Sequence, residues 1–243
     1  MDALWLDSVP SAGLAFDPEQ SVGLPDAARR YLRHAIAPGT PLASAVRLRM
    51  HGEILLKGWC RFTAEQVITS DRGMIWEATV TMYGIPIRGS DRLIEHAGAM
   101  RWKILGLIPL MEATGADTTR STVGRMLAES VWLPSVFCRD DAVWREAGSS
   151  CVAVRVVAEG EHPELTLAVD DAGRVASVAL KRWGNPDGAA YGYVPFGGIA
   201  DREETFGGYT IPTRLRVGWY FGAPRFDAGG EFFRCTIDHA EFR

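Results

Sequence analysis

The chain has 243 residues, of which 47% are hydrophobic and 23% are charged, and its formal net charge is −4 at pH 7. These fractions are typical of globular proteins and predict one continuous apolar core, while the length agrees with a single domain over residues 1–243. No basic run is longer than a pair such as Arg29 and Arg30, so we expect no nucleic-acid partner, because phosphate binding requires a basic footprint.

The first 22 residues contain scattered Pro and Gly, which predicts an irregular lead. They lack a basic segment followed by a continuous apolar run, so we expect no cleaved signal peptide and a cytoplasmic protein. The longest nearly uncharged apolar stretch runs from Ile104 to Met111. It is far shorter than the ~20 residues that cross a bilayer, and no integral membrane segment is therefore predicted.

The segment LPDAARRYLRHAI predicts a helix over residues 24–37. Pro25 and Asp26 suit a first helical turn, where a missing N–H is tolerated and a negative charge is favoured. The apolar residues that follow recur on one face, and Pro38 and Gly39 end the pattern. A period of two then replaces the helical period and predicts a first β-meander over residues 45–112, with one apolar and one polar face per strand.

The segment ATGADTTRSTVGRMLAESVWLPSVF interrupts this pattern and predicts an amphipathic helix over residues 117–133. Asp117 or Thr118 can cap this helix, and Pro134 follows where the chain must leave it. A second β-meander is expected over residues 142–243, with strands that include Cys151 to Ala158 and a long strand after Tyr209.

The fold class predicted from these elements is mainly β with a few helices. Roughly ten or eleven antiparallel strands are expected, and a sheet of that size curls, splits or closes because its strands twist. The concave apolar face of a curled sheet must be covered by other parts of the chain. We therefore expect an open half-barrel with the N-terminal helix and the central amphipathic helix against the concave face.

Metal and nucleotide chemistry have no motif in this chain. The five histidines (His34, His51, His96, His162 and His239) show no HxH or HExxH spacing, and the four cysteines (Cys60, Cys138, Cys151 and Cys235) form no CxxC pair. Free, buried thiols are therefore expected. GxSxG, GxxxxGK[ST] and a GxGxxG turn in a strand-to-helix context are also absent. We predict no metal and no cofactor.

Asp117 and Arg120 are the candidate polar site residues on the central helix. One interpretation is helix capping and a solvated face. The other is that both side chains lie under the sheet, where they would anchor the polar end of a ligand or act as an acid and a base. The sequence leaves both interpretations open.

The remaining candidate ligand-binding residues are apolar or aromatic. Five of them occupy inward strand or helix positions, where they fit either a filled core or the wall of a cavity: Trp76, Met100, Trp102, Trp132 and Trp219. Trp183, Tyr191 and Tyr193 flank the turn-forming segment NPDG. A loop there, extended by Phe196, Gly197 and Gly198, would rim a pocket with stacking surface.

Several blocks of sequence resemble a bacterial family known only as a domain of unknown function. They include LPDAARRYLRHAI, VRLRMHGEI, FTAEQVI, MIWEATVTMYGIPIRGSDRL, MRWKILGLIPL, RWGNPDG and TFGGYTIPTRLRVGWYFG. The likeness extends from about residue 24 over nearly the whole chain and implies no activity. In architecture alone the chain resembles the LolA-type lipoprotein carriers, which implies a half-barrel that holds acyl chains.

Three functional hypotheses follow from the sequence. The first is an intracellular binding protein for an apolar or amphipathic, lipid-like small molecule. The second is a cofactor-independent enzyme of isomerase, cyclase or hydrolase type, in which the pocket orients a reactive substrate. The third is a structural domain that associates through exposed sheet edges. The sequence predicts no oligomeric state.

Overall fold

The computed structural model describes residues 1–8, 13–156 and 164–243. Over these residues thirteen strands form one antiparallel sheet, which runs in the order β6-β5-β4-β3-β2-β1-β13-β12-β11-β10-β9-β8-β7. Its first six strands are β1 (Ala45–Leu55), β2 (Trp59–Thr69), β3 (Gly73–Met82), β4 (Ile85–Ile94), β5 (Ala97–Ile104) and β6 (Ile108–Ala113). The others are β7 (Val143–Gly148), β8 (Cys151–Arg155), β9 (Glu164–Val169), β10 (Val175–Gly184), β11 (Gly192–Phe206), β12 (Tyr209–Trp219) and β13 (Glu231–Phe242).

The sheet is open, with β6 and β7 at its two edges and β1 joined to β13 at its centre. The prediction of a mainly β half-barrel is confirmed. The expected strand number of ten or eleven is too low. One cause is the segment after Tyr191, which the sequence indicated as an aromatic and glycine-rich loop and which is instead the 15-residue strand β11.

Gly197 explains why β11 looks like a loop in the sequence. A Cβ atom added there would lie 2.4 Å from the carbonyl oxygen of Val178 and 2.7 Å from the ring of Phe221. This glycine therefore serves close packing of backbone and ring rather than a turn. The end of the strand predicted over Cys151 to Ala158 falls on residues outside those described, as does His162; β8 itself ends at Arg155.

Three α-helices accompany the sheet within the described ranges: α1 (Asp2–Leu6), α2 (Asp26–Ala35) and α3 (Ala116–Glu129). The lead predicted as irregular is thus helical at its start, where Leu4 and Trp5 are buried in a small cluster with Ala45 and Val67. The central helix begins at Ala116 behind Gly115, without a side-chain cap from Asp117 or Thr118. It gives way to short 3-10 turns over Ser130–Trp132 and Pro134–Cys138.

The position of α3 shows how strongly the sheet curls. The backbone N–H of Gly98 in β5 donates to Thr119 Oγ1 (2.9 Å), and Arg182 Nε in β10 donates to the carbonyl of Ser121 (3.0 Å). β5 and β10 are eight positions apart in the strand order, which is about 38 Å in a flat sheet. A helix of 14 residues is about 21 Å long. The sheet must therefore curl around α3.

The main core lies between the concave face and the segments that cross it. Met50, Trp76 and Ile237 are among the strand residues that point into it. α2 packs on the same side, where Tyr31 makes an edge contact with Phe137 at 6.0 Å. Within the described residues no helix is long and apolar enough to span a bilayer.

Candidate functional site

A cavity of about 740 Å³ lies between α3 and the concave face of the sheet. Its wall is mostly apolar and takes side chains from strands on both halves of the sheet, from α3 and from the turn after it. The apolar lining residues include Ile54, Val80, Met82, Ile87, Leu110, Met111, Ala128, Val131, Val178, Phe196, Leu215, Val217, Phe232 and Phe233. The interior on this side is therefore a cavity rather than a filled core.

Two glycines pack closely against tryptophan rings of the cavity wall. A Cβ atom at Gly89 would lie 2.1 Å from the ring of Trp102, and one at Gly184 would lie 2.4 Å from the ring of Trp219. Neither position tolerates a larger residue without displacing an indole. Trp102 in turn packs against Trp76, with ring centroids 5.8 Å apart. The aromatic wall is thus fixed by residues of the sheet itself.

The cavity reaches the end of the sheet at which the β1–β2, β3–β4, β5–β6 and β10–β11 turns lie. Antiparallel pairing of successive strands brings these four turns to the same end. Leu56 and Tyr191, from two of the turns, line the cavity. Tyr83 and Leu107, from the other two, are exposed by 82% and 77%. We call this the apolar end of the sheet.

A group of charged side chains lies on one wall of the otherwise apolar cavity. Arg125 of α3 donates from Nη1 to Asp91 Oδ2 (2.6 Å) and from Nε to Glu129 Oε1 (2.7 Å). Gln66 Nε2 donates to the other carboxylate oxygen of Glu129 (2.6 Å). The Arg125 guanidinium also lies 4.8 Å from the ring centroid of Trp76. Both carboxylates of the group are therefore held by Arg125.

Arg182 is the second arginine of this wall. Its Nε and Nη2 donate to the carbonyl and the hydroxyl of Ser121, at 3.0 and 3.3 Å. Its guanidinium lies 4.6 Å from the ring centroid of Phe196 and 5.1 Å from that of Trp219. Burial, with a further contribution from the positive charge of Arg125, lowers the pKa of Arg182 to about 10. Arg182 is still a cation at neutral pH.

The Asp91 carboxyl, on the same wall, also has a pKa that is shifted by burial. Burial raises its pKa above the ordinary value of 3.8, although the charges of Arg125 and Arg182 oppose the shift. Asp91 Oδ1 has no hydrogen-bond partner of normal geometry among the described residues, even though the Trp102 side chain is near enough to lower this pKa. Trp76 Nε1 is likewise buried without a partner in that part of the chain. Buried polar atoms without a hydrogen-bond partner are rare in folded proteins.

Six of the ten side chains proposed from the sequence line the cavity. They are Trp76, Met100, Trp102, Trp132, Tyr191 and Trp219. Trp132 is fixed by a hydrogen bond from its Nε1 to the carbonyl of Pro212 (3.0 Å). Whether these residues bind a ligand stays a prediction.

The other four lie together outside the cavity wall: Asp117, Arg120, Trp183 and Tyr193. Trp183 Nε1 donates to Asp117 Oδ1 (2.8 Å), and the Arg120 guanidinium stacks 3.8 Å from the centroid of the Trp183 ring. Arg120 also donates to the Tyr193 hydroxyl (2.9 Å). Trp183 stacks with Tyr191, which does line the cavity. The cluster therefore adjoins the cavity at the apolar end of the sheet, and Asp117 and Arg120 do not project under the sheet.

Asp91 and Arg182 are not among the site residues predicted from the sequence, although strand alternation indicates that both face inward. Alternation along β4 places Asp91 on the same face as the buried Ile87 and Leu93. Alternation along β10 places Arg182 on the same face as Val178 and Leu180, which are also buried. A charged residue in an inward register is the pattern to look for.

Among the described residues, no group of three or more His, Cys, Asp or Glu side chains could hold a metal ion.

A family model described as "Family of unknown function (DUF6920)" matches residues 22–242. No curated protein matches the chain. Similar solved structures include an outer membrane lipoprotein-sorting protein domain from Vibrio parahaemolyticus, with a TM-score of 0.43 and 8% identity over 82% of this chain and 86% of that chain. Another is a LolA superfamily protein from Nitrosomonas europaea, with a TM-score of 0.43 and 9% identity over 89% of this chain and 92% of that chain. At these identities the likeness concerns the fold alone.

Proposed function

Since the chain belongs to the DUF6920 family of unknown function, whose description assigns no activity, we propose from its own geometry that the protein binds an apolar or amphipathic small molecule. The cavity of about 740 Å³ carries this proposal. Small-molecule sites commonly measure about 300–1,000 Å³ and combine apolar walls with a few placed polar groups. The cytoplasmic location expected from the sequence stays a prediction.

The shape of the cavity wall supports a ligand with a long apolar part. Rings and aliphatic side chains come from both halves of the sheet, and the charged groups occupy one wall only. Leu56 and Tyr191 connect the interior with the apolar end of the sheet. A water-insoluble molecule would reach the cavity there past the exposed apolar side chains of the turns, which include Tyr83 and Leu107.

A neutral, environment-sensitive dye such as N-phenyl-1-naphthylamine tests the proposal. We expect saturable binding with a fluorescence increase, because the dye leaves water for an apolar wall. Ala128→Phe, which places a ring in the cavity from α3, should abolish this binding. Ala116→Phe adds the same ring at an exposed position of the same helix and should leave binding unchanged. Equal binding by both variants would contradict the proposal.

The Asp91 carboxyl favours a second candidate, a cofactor-independent enzyme. A carboxyl with a raised pKa on the wall of an apolar cavity suits a general acid. The test is to hold the protein with its co-purified ligand in D2O and to measure deuterium incorporation into that ligand. Incorporation that is present in the wild type and absent in Asp91→Asn would support an enzyme, and an unchanged ligand in both would contradict it.

The third hypothesis, association through sheet edges, also stays a prediction. β6 and β7 are the unpaired edges of the sheet. β6 exposes Ile108, Leu110 and Met111 by 59%, 51% and 47%. A mass in solution that does not change with protein concentration would count against association through these edges.

A further inference from the structure

Arg182 differs from Arg125 in having no carboxylate partner. No Asp or Glu oxygen among the described residues forms an ion pair with it, whereas Asp91 and Glu129 are both engaged by Arg125. A guanidinium has five N–H donors, and only two of its hydrogen bonds to protein atoms are formed, both to Ser121. Arg182 therefore faces the cavity with donors that the protein does not use.

The surroundings of Arg182 make an unpaired cation costly. Arg182 is held between the rings of Phe196 and Trp219 on one side and α3 on the other. A buried charge is stabilised only by a partner that compensates its lost hydration. The positive charge of Arg125 adds to this cost, whereas the carboxylates of Glu129 and Asp91 offset part of it. An anion in the cavity would accept hydrogen bonds from the Arg182 donors that the protein leaves unused.

α3 and β10 approach each other closely at this point. A Cβ atom at Gly124 of α3 would lie 2.9 Å from Cγ of Arg182. The glycine thus lets the aliphatic part of the arginine pass directly beneath the helix, while the carbonyl of Ser121 orients its Nε. The guanidinium is positioned by both elements, which is the arrangement expected of a binding group rather than of a solvated surface arginine.

We propose that Arg182 binds the anionic head group, a carboxylate or a phosphate, of an amphiphile whose hydrocarbon chain occupies the cavity. The proposal rests on the proposed function, because it presupposes that the cavity holds a ligand. The planar guanidinium matches the geometry of two anionic oxygens.

The test compares probes that share one acyl chain. Oleate carries a carboxylate, 1-oleoyl lysophosphatidic acid carries a phosphate, and methyl oleate is neutral. Binding to the full chain is followed by quenching of tryptophan fluorescence at pH 7.5, with each probe below the concentration at which it aggregates. We expect at least one anionic probe to bind about tenfold or more tightly than methyl oleate, because hydrogen bonds to a charged group are worth about that factor.

Arg182→Gln should remove this preference and leave the affinity for methyl oleate within about twofold of wild type. The retained affinity for methyl oleate also reports that the variant is folded. Arg182→Lys, which keeps the charge but loses the planar fork, should retain part of the preference. Arg120→Gln is the matched control, because Arg120 lies in the cluster outside the cavity wall, and it should retain the full preference.

The outcomes separate this inference from the proposed function. Equal affinity of the wild type for neutral and anionic probes would overturn the role of Arg182 and leave the cavity as a binding site. A preference that survives in Arg182→Gln would do the same. Failure of the wild type to bind any of the three probes, together with failure to bind the neutral dye, would overturn the proposed function itself. The stronger of the two anionic probes identifies the head group as carboxylate or phosphate.

Discussion

Asp91 and Arg125 form a buried ion pair whose members are both more than four-fifths covered. Such pairs contribute little net stability, because the lost hydration of two charges offsets their attraction. Their effect is local: they fix the side chains of one cavity wall and hold Glu129 in place through Arg125. Arg182 forms no direct ion pair among the described residues, although the charges of Glu129 and Asp91 act on it.

The raised pKa of Asp91 gives a prediction for stability against pH. A carboxyl whose pKa is raised in the folded state binds its proton more tightly there than in the unfolded chain. Its contribution to the free energy of unfolding therefore falls as the pH rises from about 4 through the folded-state pKa. We expect Asp91→Asn, which cannot ionise, to gain stability relative to the wild type over this window, as measured by urea unfolding from pH 4 to pH 7. A difference that does not vary with pH, or that varies in the opposite sense, would contradict the assignment.

Two cysteines provide a second test at the level of single side chains. Burial raises the pKa of Cys138 and of Cys235 to about 12, and the thiolate is the reactive form. We expect both to stay unmodified by iodoacetamide at pH 8 in the folded protein and to react in urea, with the sites identified by peptide mass spectrometry. Rapid alkylation of Cys235 in the folded chain would mean that the sheet is more open than described.

The packing of α3 against β5 depends on Gly98. A Cβ atom at Gly98 would lie 2.6 Å from the Cα of Thr119 and 2.9 Å from the carbonyl oxygen of Thr118. These are backbone atoms of the helix, which cannot move aside as a flexible side chain does. The contact of α3 with β5 therefore requires glycine at this position.

Gly98→Ala should lower the free energy of unfolding by about 1–3 kcal/mol, because the added methyl group overpacks the interface of helix and strand. Gly192→Ala is a suitable control, since a Cβ atom there meets nothing within 4 Å. It should be neutral or slightly stabilising. Equal urea midpoints for the two variants would contradict the close contact of α3 with β5.

The elements also show what the sequence could predict. Clean alternation, as in β1 and β3, and the 3.6-residue period of α2 were enough to place those elements within a few residues. β11 could not be recognised, because Gly197 serves contacts with Val178 and Phe221, which are distant in sequence. Asp117 and Arg120 were proposed for the cavity on helical position alone, and which way a helix is rotated depends on packing partners such as Gly98.

At the scale of the whole molecule, the half-barrel followed from the number of alternating strands and the two helices available to cover them. The cavity inside the half-barrel could not be predicted from the sequence. Tryptophan and methionine at inward positions are compatible with a filled core, and only the depth of the curl, set by the contacts of α3 with β5 and β10, leaves room for a ligand.

A ligand that occupies the cavity should stabilise the whole molecule. Binding only to the folded state adds about 2.7 kcal/mol at a free ligand concentration of 100 times Kd. For a domain of this size that is about 5–10 °C in Tm, at about 2–4 °C per kcal/mol. We expect such an increase with oleate in the wild type and none in Ala128→Phe, by thermal unfolding followed by circular dichroism. An equal increase in both would place the binding site elsewhere.

Native mass spectrometry of the protein purified from its own host tests directly whether the cavity holds a ligand. The intact mass is measured under native and denaturing conditions, for the wild type and for Ala128→Phe, before and after addition of oleate. We expect an additional mass on the wild type, from a co-purified ligand or from oleate, that is lost on denaturation and is absent from Ala128→Phe. A wild-type protein that carries no ligand and takes up no oleate would contradict it.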